Sequence, residues 1–338
     1  MLQIQENVSL KPFNSFGIDV RAAYFVEIFD EQDLTDLFEL ERAQNQELFI
    51  IGGGSNVLFT KDYDGMIIRM CIKGISSKTD GADVLVTAGA GEVWNDFVNY
   101  CVEHNFGGVE NLSLIPGTVG ASPIQNIGAY GVELKDVFER CRAFEISTGE
   151  FKVFTFDDCH FGYRESVFKG ELKGQYIITS VTFRLKTDAN VNTSYGAIET
   201  ELQKRGIEAP GISDVSAAVS HIRVSKLPDP STIGNAGSFF KNPIIEKFEF
   251  ADVIARHPDV VHYPTADNKI KLAAGWLIEQ CGWKGKVVGK TGTWKNQALV
   301  LVNHGGASGT DIFDFSAQII DSVKSTFGVT LEREVNIL

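Results

Sequence analysis

The run from Ile115 to Gly131, Ile-Pro-Gly-Thr-Val-Gly-Ala-Ser-Pro-Ile-Gln-Asn-Ile-Gly-Ala-Tyr-Gly, carries no charged side chain and is dense in glycine. A solvated loop would be richer in Lys, Glu and Asp. This composition instead suits a buried loop laid against a large ligand. Gly117, Gly120, Gly128 and Gly131 let the backbone turn and approach a ligand face, while Ser122, Gln125 and Asn126 supply a few oriented hydrogen bonds. Standing alone, the run would also fit a glycine-rich structural turn.

Upstream, the apolar stretch Leu48-Phe49-Ile50-Ile51 is followed at once by Gly52-Gly53-Gly54-Ser55-Asn56 and then Val57-Leu58-Phe59. No helical period follows the glycines, so the segment reads as strand, loop, strand. Consecutive glycine amides can form a concave nest of donors for an anion such as a pyrophosphate, with Ser55 and Asn56 adding side-chain donors. The spacing and following helix of a dinucleotide-binding fingerprint are absent. Taken singly, a Gly-Gly-Gly-Ser turn is more often only a turn.

These two segments do not stand alone. Lys11-Pro12-Phe13-Asn14-Ser15-Phe16-Gly17 precedes them, Phe161-Gly162-Tyr163-Arg164-Glu165-Ser166 follows, and Asn235-Ala236-Gly237-Ser238-Phe239-Phe240-Lys241-Asn242-Pro243 comes later. In this order the motifs make a chain that resembles, nearly end to end, the UDP-N-acetylenolpyruvoylglucosamine reductases of bacterial cell-wall synthesis, whose flavin domain is of the vanillyl-alcohol-oxidase type.

Composition bounds the other readings. The 338 residues suggest two or three domains, and 43% hydrophobic residues with 24 Phe are ample for globular packing. A net charge of −13 disfavours nucleic-acid and anionic-membrane partners. No apolar stretch reaches the roughly 20 residues that span a bilayer, and Met1 to Leu10 lacks a basic start followed by an apolar core, so a cytoplasmic protein is expected. Cysteines at 71, 101, 141, 159 and 281 and histidines at 104, 160, 221, 257, 262 and 304 lack metal-ligand or disulfide-framework spacing. Buried free thiols and no metal are expected, and any cofactor is organic.

Along the chain, a β-α-β opening runs from Tyr24–Ile28 through a helix over Glu31 to Gln44 to Leu48–Ile51. A strand is expected at Val84–Ala88 and a helix at Glu92–Glu103, where Val93, Phe97 and Cys101 share a side. Strands follow at Arg142–Ile146, Phe151–Phe154 and Tyr176–Leu185. Hydrophobicity drops between Lys186 and Pro210, and Leu227-Pro228-Asp229-Pro230 marks a second break. Helices are expected at Lys271–Cys281, stopped by Gly282, and at Asp311–Thr326, with an extended tail over Val329–Leu338. Neither repeats nor low-complexity segments occur.

Two motifs fail on inspection. Val287-Val288-Gly289-Lys290-Thr291 would need glycine at 284 for a phosphate loop, and Lys stands there. His304-Gly305-Gly306 is not accompanied by a Gly-x-Ser-x-Gly elbow, which leaves a hydrolase unsupported. Arg164, set among aromatic and glycine residues, is either a structural ion-pair or stacking partner or an oxyanion stabiliser. Ser238, between Gly237 and two phenylalanines, would be partly dehydrated and fixed, although a satisfied core serine is the commoner case. Glu334 could simply face outward from a terminal strand.

The resemblance implies more. It makes Arg164, Ser238 and Glu334 the catalytic set. NADPH would reduce noncovalent FAD, and hydride would then pass to the vinyl carbon of UDP-N-acetylglucosamine enolpyruvate. Arg164 with Glu334 would stabilise the enolate and Ser238 would give the proton. FAD is assigned to Gly52, Gly53, Gly54, Ser55, Asn56, Pro116, Gly117, Ser122, Gln125, Asn126 and Gly128. Tyr195 matches a substrate-loop tyrosine found in one subclass, and Lys226, Asn242, Tyr263, Lys284 and Gln297 fall where the family holds the diphosphate, uridine or enolpyruvyl parts. Arg333 stands where a proline is common.

The expected fold is α+β: a two-lobed FAD-binding region of the vanillyl-alcohol-oxidase type plus a separate α+β substrate-binding domain. The expected segments are 1–70 for the first lobe, 71–226 for the second, 227–327 for the substrate-binding domain and 328–338 for a C-terminal strand returning to the active site. A monomer acting on small molecules is expected, with no nucleic acid and no membrane. The alternatives are an FAD-dependent oxidase or dehydrogenase of a sugar alcohol or lactone, or a redox-inactive nucleotide-sugar-binding protein.

Overall fold

A computed structural model describes residues 2–40 and 46–338. The chain forms two compact units: Met1–Val8 with Ala22–Gly53 and Asp64–Arg223, and Ser9–Arg21 with Gly54–Tyr63 and Val224–Leu338.

The first unit holds two sheets. One has the order Gln5–Ser9, Arg21–Ile28, Tyr63–Met70, Leu48–Ile51. Its last two strands run parallel, with Leu48 opposite Met66 and Ile51 opposite Arg69. The helix Glu31–Glu39 starts on Asp30, whose carboxylate accepts from the Asp33 amide at 2.9 Å, and buries Leu34 and Leu37. The end expected for it at Gln44 lies outside the described residues.

The other sheet is antiparallel, in the order Phe151–Thr155, Phe138–Glu145, Tyr176–Lys186, Asp83–Gly89, Ile75–Asp80. Tyr176–Lys186 is the central strand and is covered on both faces, because Ile177, Ile178, Val181 and Phe183 are all buried. That explains why apolar residues sit at adjacent positions, as at Ile177 and Ile178, where one-sided burial would alternate. The helix Trp94–Glu103 packs Trp94 and Phe97 against Phe183, with ring centroids 5.8 and 4.5 Å away. The helix Gly196–Lys204 lies within the Lys186–Pro210 region where the sequence suggested only a break, and a second helix, Ile212–Lys226, follows it.

In the second unit the antiparallel order is Gly234–Ser238, Gln297–Asn303, Thr291–Trp294, Val287–Val288. A smaller sheet joins Ile244–Ile245, Ile270–Leu272 and His262–Pro264. The expected helix at Lys271–Cys281 is therefore corrected at its start: Ile270–Leu272 is a strand, and the helix is Ala274–Gln280. Lys271 is held in register between Ile244 and Tyr263, and those cross-strand pairs outweigh the helical spacing. The helix Gly309–Phe327 begins with a capping box in which Ser308 and Asp311 bond reciprocally, and ends at Gly328 with φ +76°.

Two sequence motifs brace this unit. Asn14 is buried, its amide donates to Leu10 and Ile18 carbonyls at 2.8 and 2.9 Å, and its Oδ1 accepts from the Ile18 amide. The tail strand Asn336–Ile337 lies parallel to Val57–Leu58.

Candidate active site

In the first unit the two glycine segments lie backbone against backbone. A Cβ on Gly52 would sit 2.1 Å from Thr118 Oγ1, and one on Gly53 would sit 3.3 Å from Gly117 Cα. No side chain fits at Gly52, which is why glycine is needed there. The adjoining Gly54 has φ +62°, and its Cβ would lie 1.9 Å from the Phe13 carbonyl oxygen. The amides of Gly53, Gly54 and Ser55 donate to no acceptor among the described residues. A run of open donors on a backbone that no side chain crowds suits the diphosphate of a dinucleotide.

The Ile115–Gly131 run is stitched to the Phe161–Ser166 turn by three side chains. Asn126, fully buried, donates to the Gly162 carbonyl at 2.9 Å and to Glu133 Oε2 at 3.2 Å, and accepts from the Lys135 amide at 3.0 Å. Ser166 Oγ donates to Ile124 O at 2.7 Å, and Arg164 Nη2 donates to Gly128 O at 2.7 Å. A Cβ on Gly128 would come within 3.1 Å of Arg164 Nη1, so glycine admits the guanidinium. Arg164 sits in the left-handed region at φ +58°, and its guanidinium lies 5.4 Å from the Tyr163 ring centre. A non-glycine residue held in that region by its surroundings is a mark of functional sites.

Both amide hydrogens of Asn126 are thus committed inside the protein. The hydroxyl of buried Ser122 also donates inward, to Val119 O at 2.7 Å. Pro116 is exposed, while Gly117 and Gln125 are half-buried. Tyr195 is exposed at the start of the helix Gly196–Lys204, its ring 5.3 Å from that of Tyr130 and nearly perpendicular to it.

In the second unit the tail runs beside the Ser238 segment. The Glu334 amide donates to Phe239 O at 2.8 Å, the Lys241 amide donates to Glu332 O at 2.9 Å, and Phe240 bridges Arg333. Buried Lys241 pairs with Glu332 at 2.6 Å. Arg333 Nε donates to Ser316 Oγ at 2.8 Å while its guanidinium lies 4.2 Å from the Phe313 ring centre. Asn56 Nδ2 reaches Glu334 O at 3.4 Å. Glu334 is therefore fixed at the backbone beside the strand that ends in Ser238. Ser238 itself is exposed, where the sequence suggested a partly dehydrated hydroxyl; the backbone shift between Asn235 and Ser238 turns it outward.

Of the remaining sequence-assigned residues of this unit, Asn242 and Gln297 are half-buried at the first turn of the helix Ala274–Gln280. Asn242 Oδ1 accepts from the Ala274 amide at 2.9 Å, at the first turn of that helix. Gln297 Oε1 would lie 3.0 Å from a Cβ on Gly275 of the same helix. Lys284 contacts both carboxylate oxygens of Glu279 at 3.0 Å. Lys226 and Tyr263 are exposed. Sequence reasoning missed Thr118 and Glu133, whose importance follows only from what faces Gly52 and Asn126.

Among the described residues no group of His, Cys, Asp and Glu could hold a metal, and no helix is long and apolar enough to cross a membrane.

Comparison with known proteins sharpens the class. Residues 22–156 match the family model described as FAD binding domain, and residues 229–338 match that described as UDP-N-acetylenolpyruvoylglucosamine reductase, C-terminal domain. The chain is an FAD oxidoreductase with a vanillyl-alcohol-oxidase-type flavin domain. It is 49% identical over 339 residues to the UDP-N-acetylenolpyruvoylglucosamine reductase of Flavobacterium johnsoniae, covering 100% of both, and 47% identical to that of Pseudomonas aeruginosa, covering 99% of both. The crystal structure of the Thermus caldophilus enzyme shares the fold, with a TM-score of 0.69 at 22% identity over 100% of this chain and 99% of that one. The chain belongs to the UDP-N-acetylenolpyruvoylglucosamine reductases.

Proposed function

We propose that this chain reduces UDP-N-acetylglucosamine enolpyruvate to UDP-N-acetylmuramate with Ser238 as proton donor, Arg164 as enolate stabiliser and Glu334 as its partner. The reduction itself, and its use of FAD and NADPH, is the activity of the family. The redox chemistry is that of FAD, through which hydride taken from NADPH is given to the substrate's vinyl carbon. Hydride addition at that carbon puts an electron pair on the adjacent carbon and its carboxylate. The Arg164 guanidinium, aimed and held by Gly128 O, neutralises that charge where it develops. Ser238 Oγ gives its proton to the carbon, completing the saturated product, and regains one from solvent. An alcohol is a weak acid, so the step relies on a strongly basic carbanion and a fixed donor. Glu334, anchored at its backbone, hydrogen-bonds the enolate region. The observation that most supports this is the stitching of the Arg164 turn to the glycine-rich run through Asn126, Ser166 and Arg164 itself.

FAD is assigned to Gly52, Gly53, Gly54, Ser55, Asn56, Pro116, Gly117, Gln125 and Gly128, with Ser122 and Asn126 acting by holding the loop. The nucleotide sugar is assigned to Tyr195, Lys226, Asn242, Tyr263, Lys284 and Gln297. The segments 1–70 and 71–226 serve the cofactor, 227–327 the substrate, and 328–338 carries Glu334. The enzyme acts as a cytoplasmic monomer without nucleic-acid partners.

The test separates the two half-reactions by stopped flow at the flavin absorbance. Ser238→Ala should leave reduction by NADPH within about twofold and slow reoxidation by the enolpyruvyl substrate by about 10²-fold or more. Equal loss in both halves would remove Ser238 from the role.

A further inference from the structure

Several guanidinium groups of the first unit are paired with carboxylates. Arg69 pairs with Glu27, Arg142 with Glu31, Arg184 with Glu139, Asp80 and Asp83, and Arg205 with Glu201. Arg223, near the end of the helix Ile212–Lys226, is half-buried, and Tyr130, not an acidic residue, is the group that acts on it. Its Nε is buried with no hydrogen-bond partner. Its protein partner is the Tyr130 phenol, with which it shares a side-chain hydrogen bond. Burial lowers the pKa of the Arg223 guanidinium and raises that of the Tyr130 phenol, so both surroundings disfavour charge. An arginine nevertheless stays protonated, and a guanidinium whose Nε is shut off from water without a partner or a counter-charge is unfavourable.

The structure around it is built to hold that arrangement. Tyr130 is itself a left-handed residue, at φ +51°, in the uncharged glycine-rich run. Its carbonyl accepts from buried Asn111 Nδ2 at 3.1 Å, and the same amide donates to Asn192 O at 2.9 Å. On its outer side the Tyr130 ring meets exposed Tyr195. A strained, braced tyrosine therefore lies between the Arg223 guanidinium and an exposed tyrosine.

We propose that Arg223 and Tyr130 form a binding site for a negatively charged oxygen of a bound nucleotide, which supplies the missing counter-charge. All the nucleotides of this enzyme carry such oxygens, so the probes must tell them apart. The affinities of FAD for the flavin-free protein, and of UDP and NADP⁺ for the holoenzyme, are measured for wild type, Arg223→Met, Arg223→Lys and Tyr130→Phe, together with melting of the flavin-free proteins. Arg223→Met, which matches the stem without the charge, should weaken one of the three ligands at least tenfold and leave the others within twofold. The ligand affected identifies the source of the anion. Arg223→Lys should recover part of that loss, and Tyr130→Phe should weaken the same ligand. The melting temperature of the flavin-free Arg223→Met protein should hold or rise, because a charge without a partner has been removed. Three unchanged affinities overturn the proposal, as does an equal loss for all three with a lowered melting temperature, which would make Arg223 a packing residue. These readouts involve no turnover, so they are independent of the roles given to Ser238 and Arg164.

Discussion

Replacing Asn126 by alanine tests whether the glycine-rich run and the Arg164 turn act as one body. The side chain makes three hydrogen bonds from a fully buried position. The Gly162 carbonyl keeps a second donor, the Glu165 amide at 3.3 Å, so its loss is modest, about 1 kcal/mol. The Lys135 amide loses its side-chain acceptor, which costs about 1–3 kcal/mol. Asn126 also holds φ +43°, where alanine lacks the local hydrogen bonding that lets asparagine tolerate a left-handed backbone, adding about 1 kcal/mol. The sum is about 3–5 kcal/mol, or on the order of 10 °C in melting for a unit of this size. Function should fail in a particular half. With Gly162 released, Arg164 loses the turn that aims it, so reoxidation by the enolpyruvyl substrate should slow about 10-fold to 100-fold while reduction by NADPH changes little. Calorimetry of the flavin-free protein and stopped-flow reoxidation measure the two effects. Melting within 2 °C of wild type with a tenfold loss of FAD affinity would refute the reasoning, since Asn126 would then touch the cofactor instead of bracing the turn.

Gly52→Ala should reduce FAD affinity and stability far more than Gly53→Ala, since one Cβ meets Thr118 Oγ1 at 2.1 Å and the other meets Gly117 Cα at 3.3 Å. Adding Thr118→Ala to Gly52→Ala should recover part of the loss in a flavin titration, and its failure to do so would place the defect elsewhere. Acid should destabilise the first unit through Glu139, whose pKa is lowered chiefly by its hydrogen bond to Arg184. A depressed carboxylate contributes stability above the ordinary range near 4, and that contribution is lost as pH falls through its folded value. Arg184→Met should therefore lower stability at neutral pH and flatten the acid limb of a pH series, and an unchanged limb would show that the cluster does not matter.

Much of the cofactor side was legible because its signals are local. Gly52 to Ser55 announces a turn, and the β-prone run Tyr176–Leu185 reads as a strand. The helix Gly309–Phe327 was readable from Ile312, Phe315, Ile319 and Val323 on one stripe. By contrast, Ile212–Lys226 was passed over because its apolar residues do not keep to one side: Ile222 is buried and Val224 two residues on is exposed. At Ile270–Leu272 a helical spacing was overruled by neighbours distant in sequence, Ile244 and Tyr263. The same limit applies to the site. Arg164, Ser238 and Glu334 were visible as motifs, whereas Asn126 as a brace and Arg223 as an unpaired charge exist only once their surroundings are known.

The division of the chain has a consequence for how it is made. The second unit draws on Ser9–Arg21 and Gly54–Tyr63 as well as Val224–Leu338. Within it the Phe16 ring lies 6.1 Å from that of Phe239, the Phe16 carbonyl accepts from Asn303 Nδ2 at 3.0 Å, and Val57–Leu58 pair with Asn336–Ile337. In order of synthesis, Ser9–Arg21 and Gly54–Tyr63 must wait for Val224–Leu338, with most of the first unit made in between. During that interval Phe16, Val57 and Leu58, all buried in the finished protein, have no partners to cover them. Newly made chains are thus exposed to aggregation and chaperone capture until Val224–Leu338 has been made.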